Sequence, residues 1–253
     1  LQLDSISEVV IPKPFNSNNL KSFSESFTYE KTSVILNRLD NCRFLQDPHA
    51  LISADDHLIF SESCAYGMVP SEHWIFKKIK LHKVLRLEGS SFMLGCIPNI
   101  WHLLMEEIPK LYILQKANYN ISEFDNLIGH NYTLAQQSEI YKIFNIDTSK
   151  IITFENNKHL SFESLTYFSP IYSPDIEAIN WMKQKILKFY GIKVSKRNRR
   201  IFISRENYST KNICNFKIIR QVLKKHKFEI VRPEELNIEN QINLFSSANF
   251  VIG

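Results

Sequence analysis

Residues 200–253 decide the fold class and read RIFISRENYSTKNICNFKIIRQVLKKHKFEIVRPEELNIENQINLFSSANFVIG. Short apolar runs alternate here with helical stretches, which predicts strands at 201–204, 228–231 and 249–253 and helices at 216–225 and 238–248. Strands that alternate with helices form a parallel sheet in an α/β fold. Such sheets bind ligands outside the carboxyl ends of their strands, which is where Arg205 and Gly253 stand.

The chain upstream of this segment changes its period near Trp101. Residues 36–96 alternate short apolar runs with turn residues, which predicts short strands and hairpins. Apolar residues at helical spacing follow, and Pro109 should kink or split the helix that they form. Further strands are predicted at 126–129, 151–154 and 161–171, and further helices at 134–144 and 174–190. We place a domain boundary near residues 170–175.

The composition is that of an ordinary globular protein, with 44% hydrophobic and 23% charged residues among 253. The formal net charge of +5 suits a phosphate-bearing ligand or an anionic membrane surface and is too diffuse to indicate nucleic acid. The sequence contains no apolar run of about 18 residues, the length of a membrane helix. No signal peptide is predicted, and the start at Leu1 rather than Met leaves room for an upstream anchor.

Four cysteines lack Cys-x-x-Cys spacing, which predicts reduced, buried thiols in a cytosolic protein and no zinc site. They are Cys42, Cys64, Cys96 and Cys214.

Arg205 is the first candidate for ligand binding, because it follows a predicted strand. A guanidinium at that position suits a diphosphate, which it can bind bidentately. The alternative is a surface arginine that pairs with Glu206 or Glu229. The densest basic run precedes this strand and could attract phosphate, nucleic acid or anionic lipid, although a solvated loop is favoured for 193–197. The run comprises Lys193, Lys196, Arg197, Arg199 and Arg200.

His102 and Glu106 are four residues apart and therefore share one face of a helix. A histidine held by a carboxylate is a natural general base. The alternative is a pair that only stabilises its helix, and the neighbouring Glu107 is predicted to point elsewhere. Trp101 could stack on a sugar, but its apolar neighbours favour a position in the core.

Several chemical motifs are missing from the sequence. It has no Asp-x-Asp pair to hold a metal-bound diphosphate, and the adjacent Asp55 and Asp56 are predicted to form a turn. No glycine-rich phosphate loop is present. The other histidines lack metal-ligand spacing and are predicted to lie in loops or at the surface; they are His49, His57, His73, His82, His130, His159 and His226.

Two groups of motifs are similar to those of a known family. One group comprises 200–205, Asn215, Gln241, 244–245 and 251–253, and the other comprises 99–103, Glu106 and 109–111. They resemble glycosyltransferase family 61, in which N-Y-W-H-W-L-x-E-x-x-P-R-L precedes a basic-I-Y-I-S-R strand. In that family an Arg-rich loop with an Asn, then L-S-F-x-E-Q-x-x-L-F and a strand ending in V-G, follow the I-S-R strand. A weaker match at 40–63 extends the resemblance over most of the chain.

The resemblance implies an α/β fold of the GT-B type, with two Rossmann-like domains. Residues 1–172 would form the acceptor-side domain, with a β-rich lead-in, and residues 173–253 the first part of the nucleotide-sugar-binding domain. The second domain is expected to be incomplete in this chain, because the family's H-G-A-G-L-x-N motif would follow Gly253.

The resemblance also implies the reaction. We expect an inverting, metal-independent hexosyl- or pentosyltransferase that uses no cofactor. It would move a sugar from a nucleotide-sugar, expected to be UDP-linked, to a glycan or lipid-linked glycan. Bacterial members of the family serve capsular polysaccharide synthesis, so we expect such a role in the cytoplasm, with peripheral association at the inner face of the membrane.

The resemblance assigns roles to particular residues. His102 and Glu106 would be catalytic, and either could take the proton. The donor-binding residues would be Arg205, Lys211, Asn215 and Gly253, and no metal ligand is expected.

The alternatives come from other classes of protein. Lys211 stands where the family has Arg, Asn212 where it has a second Arg, and Phe216 where it has an acid. These departures favour a non-catalytic, family-61-like interaction module of a polysaccharide assembly complex. A third hypothesis is a nucleic-acid binder that uses residues 193–200, which predicts salt-dependent binding to any duplex. We expect no nucleic-acid partner.

Overall fold

The computed structural model describes residues 2–3, 9–11, 27–29, 34–47, 49–63, 69–95, 99–130, 135–154, 158–169, 176–193, 197–206, 213 and 215–253. The chain divides into two compact units. Unit 1 comprises residues 1–133 and 144–182, and unit 2 comprises residues 134–143 and 183–253. The domain division expected between residues 172 and 173 stays a prediction.

Unit 1 is built around one mixed sheet. Its described strands are β1 (Gln2–Leu3), β2 (Val9–Ile11), β3 (Phe27–Tyr29), β4 (Val34–Asp40), β5 (Arg43–Leu45), β6 (Ala50–Ile52), β7 (Leu85–Met93), β8 (Asn126–Gly129), β9 (Ile151–Thr153) and β10 (His159–Phe168). The order across the sheet is β1-β4-β10-β7-β8-β9. Strands β7 to β10 run parallel, whereas β4 and β5 run antiparallel to β10. The β5–β6 hairpin joins the sheet through β10, and β2 and β3 form a separate antiparallel pair.

The centre of this sheet is buried, as a parallel sheet requires. Strand β10 reads HLSFESLTYF, and most of its side chains are buried. Its Leu160 and Phe162 join Phe44 and Leu51 of the β5–β6 hairpin, and Phe154 after β9, in one apolar cluster. Burial of such a side chain stabilises the fold by roughly 1.5–3 kcal/mol. The cluster therefore holds the hairpin against the sheet.

Cys42 belongs to the same cluster, and its thiol is free and fully buried. Burial raises the pKa of Cys42 to about 12, so the thiol stays protonated. The prediction of a reduced, buried thiol is confirmed for Cys42. The other three cysteines, Cys64, Cys96 and Cys214, lie outside the described residues.

The helix after β7 is continuous over residues 100–116 but changes its hydrogen bonding on the way. Helix α1 (Ile100–His102) leads into a π turn (Leu103–Glu107) and then into α2 (Ile108–Lys116). In the π turn the N–H of Ile108 donates to the carbonyl of Leu103, five residues back. Pro109 has no N–H to donate, so the wider turn lies where the α-helical ladder is interrupted. The chain stays helical through Pro109 and is not split there.

Unit 2 contains a three-stranded parallel sheet in the order β12-β11-β13. Strand β11 (Arg199–Ile203) lies between β12 (Glu229–Val231) and β13 (Ala248–Ile252). Helices α5 (Phe216–Lys225) and α6 (Ile238–Ser246) connect these strands. The parallel α/β arrangement predicted for residues 200–253 is confirmed, whereas the GT-B type with two Rossmann-like domains stays a prediction.

Two helices do not follow the division of the chain that the sequence predicts. Helix α4 (Ile176–Phe189) passes from unit 1 to unit 2 at residues 182–183, and α3 (Ala135–Ile143) belongs to unit 2 although it precedes β9. Within unit 2 the hydroxyl of Tyr190 donates to the carboxylate of Glu139 on α3. Burial and this carboxylate raise the pKa of Tyr190. These contacts link α3 to the end of α4 by long-range interactions that no local pattern encodes.

Three of the histidines predicted to lie in loops or at the surface are buried. His73 is fully buried, and its Nδ1 accepts the N–H of Ile75 at the start of a short 3₁₀ turn. The ring of His130 packs against Phe154, and His159 Nδ1 lies 2.9 Å from the carbonyl of His82. The prediction was wrong for His159, which lies in β10 and is buried by contacts that are distant in sequence. His73 and His130 lie in loops as predicted, although both are buried. The prediction is confirmed for the exposed His57, His82 and His226.

His49 lies at the tip of the β5–β6 hairpin with a φ of 63° and with its ring against Phe44. Burial, with a smaller contribution from the positive charges of Lys110, His73 and His130, lowers the pKa of His49 to about 4. Protonation of this imidazole is therefore disfavoured in the folded protein.

We expect acid to weaken the fold through His49. Its pKa is about 4 when folded and about 6.5 when unfolded, so the unfolded state binds the extra proton between these values. Stability is then complete above pH 6.5 and is lost as the pH falls towards 4. Between pH 7.5 and 5 the loss should be about 2 kcal/mol in the free energy of unfolding, measured by urea denaturation.

The matched control is His49→Asn, because asparagine tolerates a positive φ and does not titrate. This variant should lose about 2 kcal/mol less than the wild type over the same pH change. Equal pH dependence in both proteins would contradict the assignment to His49.

Candidate functional site

Two parallel strand ends meet at one edge of the unit 1 sheet. Leu94 and Gly95 follow β7, and their N–H groups donate to the carbonyl of Ile128 on β8, at 2.9 and 3.2 Å. His130 follows β8 at the same edge. The helix over 100–116 is the next described element after β7. Ligands of parallel sheets bind at such an edge.

Glu107 fastens this helix to the strand end. The residue is 2% exposed, and its carboxylate occupies the space in which a Cβ of residue 95 would lie. Lys110, one turn later, donates from Nζ to the carbonyl of Leu94 at 2.9 Å. Any side chain at position 95 would therefore displace the carboxylate of Glu107. Helical spacing predicted only that Glu107 points away from His102, and the glycine directly after a predicted strand is the signal that could have identified it.

His102 and Glu106 form a close pair on the first turns of the helix. His102 Nδ1 lies 2.9 Å from Glu106 Oε1, and the side chains are 25% and 30% exposed. The distance suits a hydrogen bond, but the ring N–H does not point at the oxygen, so the contact is electrostatic. The pair is thus neither a fully solvated surface pair nor a buried one.

His102 is the last residue of α1, and Glu106 lies within the π turn that follows. Asn99 begins the helix, since its side chain accepts the N–H of Trp101 at 2.8 Å. A carboxylate at Nδ1 favours the imidazole tautomer whose Nε2 can accept a proton. The arrangement can therefore act as a general base towards a group that approaches Nε2.

Trp101 stands beside this pair and is 54% exposed. Its ring meets that of His102 edge to face, with centroids 5.1 Å apart. The favoured interpretation of Trp101 as a core residue was wrong, because the apolar stripe of the helix packs inward on other faces. An exposed indole at this position is suited to stack on a sugar ring.

Arg205 lies at the carboxyl end of β11 in unit 2 and is exposed. The two carboxylates considered as its partners are engaged elsewhere. Glu229 accepts both Nε and Nη2 of Arg199, and Glu206 accepts the hydroxyl of Ser204 and lies 3.7 Å from Arg220. Within the described part of the chain, Arg205 has no ion pair. Its guanidinium is therefore available to an anion.

Gly253 lies at the strand end next to that of Arg205. Phe202 pairs with Ile252 across β11 and β13, and a Cβ at residue 253 would lie 3.0 Å from the Cβ of Ile203. Asn215 precedes α5, but its side chain does not cap that helix. Lys211, the fourth predicted donor residue, lies outside the described residues.

The last two residues of the basic run, Arg199 and Arg200, lie in β11 and make contacts within unit 2. Arg199 pairs with Glu229, which lowers the pKa of Glu229. Arg200 donates to the carbonyl of His226 at 3.0 Å and lies over the ring of Phe250, 5.0 Å from its centroid. The last two cations of the run therefore stabilise the sheet, which weakens the hypothesis of a nucleic-acid-binding surface at 193–200.

The predicted turn at Asp55 and Asp56 is confirmed. Asp55 lies 2.9 Å from His57 Nδ1, and Asp56 pairs with Arg43. Across the described ranges, no group of three His, Cys, Asp or Glu side chains could hold a metal ion. No helix among the residues described is long and apolar enough to cross a membrane.

Comparison with known proteins gives one family. The family described as Glycosyltransferase 61 matches residues 100–253, from the first residue of α1 to the last residue of the chain. No curated protein matches the chain. The matched region is more than half of the 253 residues and includes every residue predicted for the site. The chain therefore belongs to glycosyltransferase family 61 and is a glycosyltransferase.

Proposed function

We propose that the protein transfers a hexosyl or pentosyl group, with inversion, from a UDP-linked sugar to a glycan or lipid-linked glycan. The product would be a capsular or other surface polysaccharide, made in the cytoplasm. The observation that carries the proposal is the partly exposed His102–Glu106 pair at the start of the family-matched region. Family membership implies, in general, a nucleotide-sugar donor and a glycan acceptor. A GT-B architecture is the one that we propose for the two units.

In this proposal His102 is the base that activates the acceptor. The acceptor oxygen forms a bond to the anomeric carbon while the bond from that carbon to the diphosphate breaks. The hydroxyl proton passes to Nε2 of His102, and the charge of Glu106 stabilises the imidazolium that results. The exposed ring of Trp101 would hold the acceptor sugar by stacking.

The donor diphosphate would lie at the carboxyl edge of the unit 2 sheet. Arg205 has no ion pair among the described residues, so it can bind the phosphates without losing another contact. Helix α5 begins at Phe216, directly after Asn215, so its first N–H groups would also favour an anion at this edge. Lys211 and the backbone of Gly253 would complete the contacts. These groups would neutralise the charge that the leaving diphosphate gains.

A second candidate is a non-catalytic interaction module of a polysaccharide assembly complex. The observation that favours it is Phe216, which stands where the family has an acid. Its ring packs against Phe202 of β11, with centroids 5.9 Å apart, and therefore has a structural role. The experiments below separate this candidate from the enzyme.

The first experiment tests the donor site through Arg205. The melting temperature of the full-length protein should rise with uridine or cytidine diphosphate, because ligand at ~100 times its Kd adds roughly 2.7 kcal/mol to stability. Arg205→Gln should weaken the binding by about ten- to hundredfold, the scale of a lost hydrogen bond to a charged group.

Arg197→Gln is the matched control for Arg205→Gln, since it removes the same charge from an exposed position before β11. It should leave the affinity near that of the wild type. If no nucleoside diphosphate stabilises the wild type, the donor site is refuted; equal losses in both variants would reduce the role of Arg205 to general charge.

The second experiment tests the base. His102→Ala should lower turnover by roughly 100-fold or more, and Glu106→Gln should lower it too, because the variant keeps the shape but removes the charge. Melting temperatures should stay near that of the wild type. Glu123→Gln, an exposed carboxylate later in unit 1, is the control that should leave turnover unchanged.

Other outcomes identify other roles for the pair. A helix-surface pair contributes only about 0.2–0.5 kcal/mol, so rate and stability would then stay near wild type in both variants. A structural pair would lower melting temperature and turnover together. Wild-type turnover in His102→Ala would remove this residue from the catalytic site.

The third experiment concerns metal ions. We expect transfer by the full-length enzyme to persist after treatment with EDTA, because the sequence lacks an Asp-x-Asp pair and the leaving group has cationic partners in Arg205 and Lys211. Activity assays with and without added Mg²⁺ or Mn²⁺ would measure this. A complete loss that metal restores would contradict it and would direct attention to carboxylates such as Asp55 and Asp56.

A further inference from the structure

Residues 74–86, which we name the basic apolar loop, read WIFKKIKLHKVLR. The loop begins with a 3₁₀ turn (Trp74–Lys77) and ends in the first residues of β7 (Leu85–Met93). Between these elements, residues 78–84 form neither helix nor strand. The loop combines two features that rarely occur together, a dense positive charge and a series of exposed apolar side chains.

Six large apolar side chains of the loop face solvent, whereas Ile75 packs against the cluster of Leu45, Ala50 and Ile52. Ile79 is 104% exposed, Phe76 is 64% exposed and Trp74 is 48% exposed. Leu81, Val84 and Leu85 are also exposed. Single exposed apolar residues are common, but six large ones within twelve residues form a patch of the kind that marks an interaction site.

The charges of the loop are all positive. It contains five basic residues and no Asp or Glu, so its charge equals the +5 of the entire chain, and the remaining sequence is balanced. Lys78 pairs with Asp47 at 2.9 Å, and no other basic residue of the loop has an ion pair within the described part of the chain. The cations are Lys77, Lys78, Lys80, Lys83 and Arg86.

We propose that the basic apolar loop binds the surface of an anionic membrane. Trp and Phe rings prefer the headgroup region, and aliphatic side chains such as Ile79 and Leu81 would enter the acyl boundary. The lysine stems would lie along this apolar surface while their ammonium groups contact lipid phosphates. Binding of this kind is peripheral and is independent of the transfer reaction.

The same residues argue against other partners. Aliphatic side chains cannot stack on bases, so Ile79, Leu81 and Val84 would gain little from a nucleic acid. Lysine is depleted in protein interfaces, whereas the loop has four. Lipid is the partner that uses both the apolar and the cationic side chains.

Co-sedimentation of the full-length protein with vesicles tests the proposal. We expect binding to vesicles of phosphatidylglycerol and phosphatidylcholine in equal amounts, weaker binding as salt increases, and little binding to phosphatidylcholine alone. The double variant Phe76→Ser/Ile79→Ser should bind about tenfold more weakly or worse. Lys80→Gln/Lys83→Gln should show a similar loss and a smaller dependence on salt.

Matched controls lie outside the loop. Ile218→Ser removes an apolar side chain that is 64% exposed in unit 2, and Lys188→Gln removes an exposed charge from α4. Both should bind vesicles like the wild type. Melting temperatures of all variants confirm that they fold.

Several results would overturn the proposal. One is equal binding to neutral and anionic vesicles, and another is unchanged binding in both loop variants. A third is a wild-type protein that does not bind vesicles but binds duplex DNA or a protein through this loop.

Discussion

The carboxylate of Glu107, buried against Gly95, is the contact on which the placement of the His102–Glu106 pair in unit 1 depends. The carboxylate lies where a Cβ of residue 95 would otherwise be, so the helix packs closely against the strand end. A side chain at residue 95 would displace this carboxylate. Lys110 reaches the carbonyl of Leu94 from the same helix and restricts it further. Because His102 and Glu106 lie on the same helix, these two contacts also set their position relative to the strand end.

In unit 2 the pairing of the strands positions the candidate residues. Its sheet has three strands, and the edge that carries Arg205 and Gly253 is set by the parallel register of β11 with β12 and β13. The neighbouring cations Arg199 and Arg200 are held by Glu229, by a backbone carbonyl and by an aromatic ring. One arginine is thus left exposed at the strand end while those before it stabilise the sheet. This division of roles among adjacent arginines gives the edge its positive charge.

Local patterns predicted much of the fold but little of its assembly. The alternating runs of residues 200–253 predicted the strands and helices of unit 2, and the apolar run at 126–129 coincides with β8. The parallel pairing of β7 with β10 joins residues that are distant in sequence, such as Leu85 and Leu160, and no local signal predicts it. The burial of His73 and His130 was missed for the same reason. Spacing along the chain also could not predict the exposure of Trp101, because the π turn changes which side chains face inward.

For the site, the sequence placed His102 and Glu106 on one helix face and Arg205 at a strand end, and both placements follow from periodicity alone. What periodicity could not supply is the separation of 2.9 Å in the pair or the engagement of Glu206 and Glu229 by other arginines. Those facts depend on side-chain contacts between elements. The buried Glu107 is of the same kind, since its partner at residue 95 lies on another element.

The π turn at Leu103–Glu107 has a consequence for how this helix can change over evolutionary time. An additional residue in one turn rotates everything before it by about 100° relative to everything after it. The packing face of α2, with Leu111 and Leu114 buried, is therefore out of phase with the face that carries His102. Substitutions on the face that carries His102 can accumulate without altering the face that packs, so the two faces can vary separately within a single helix.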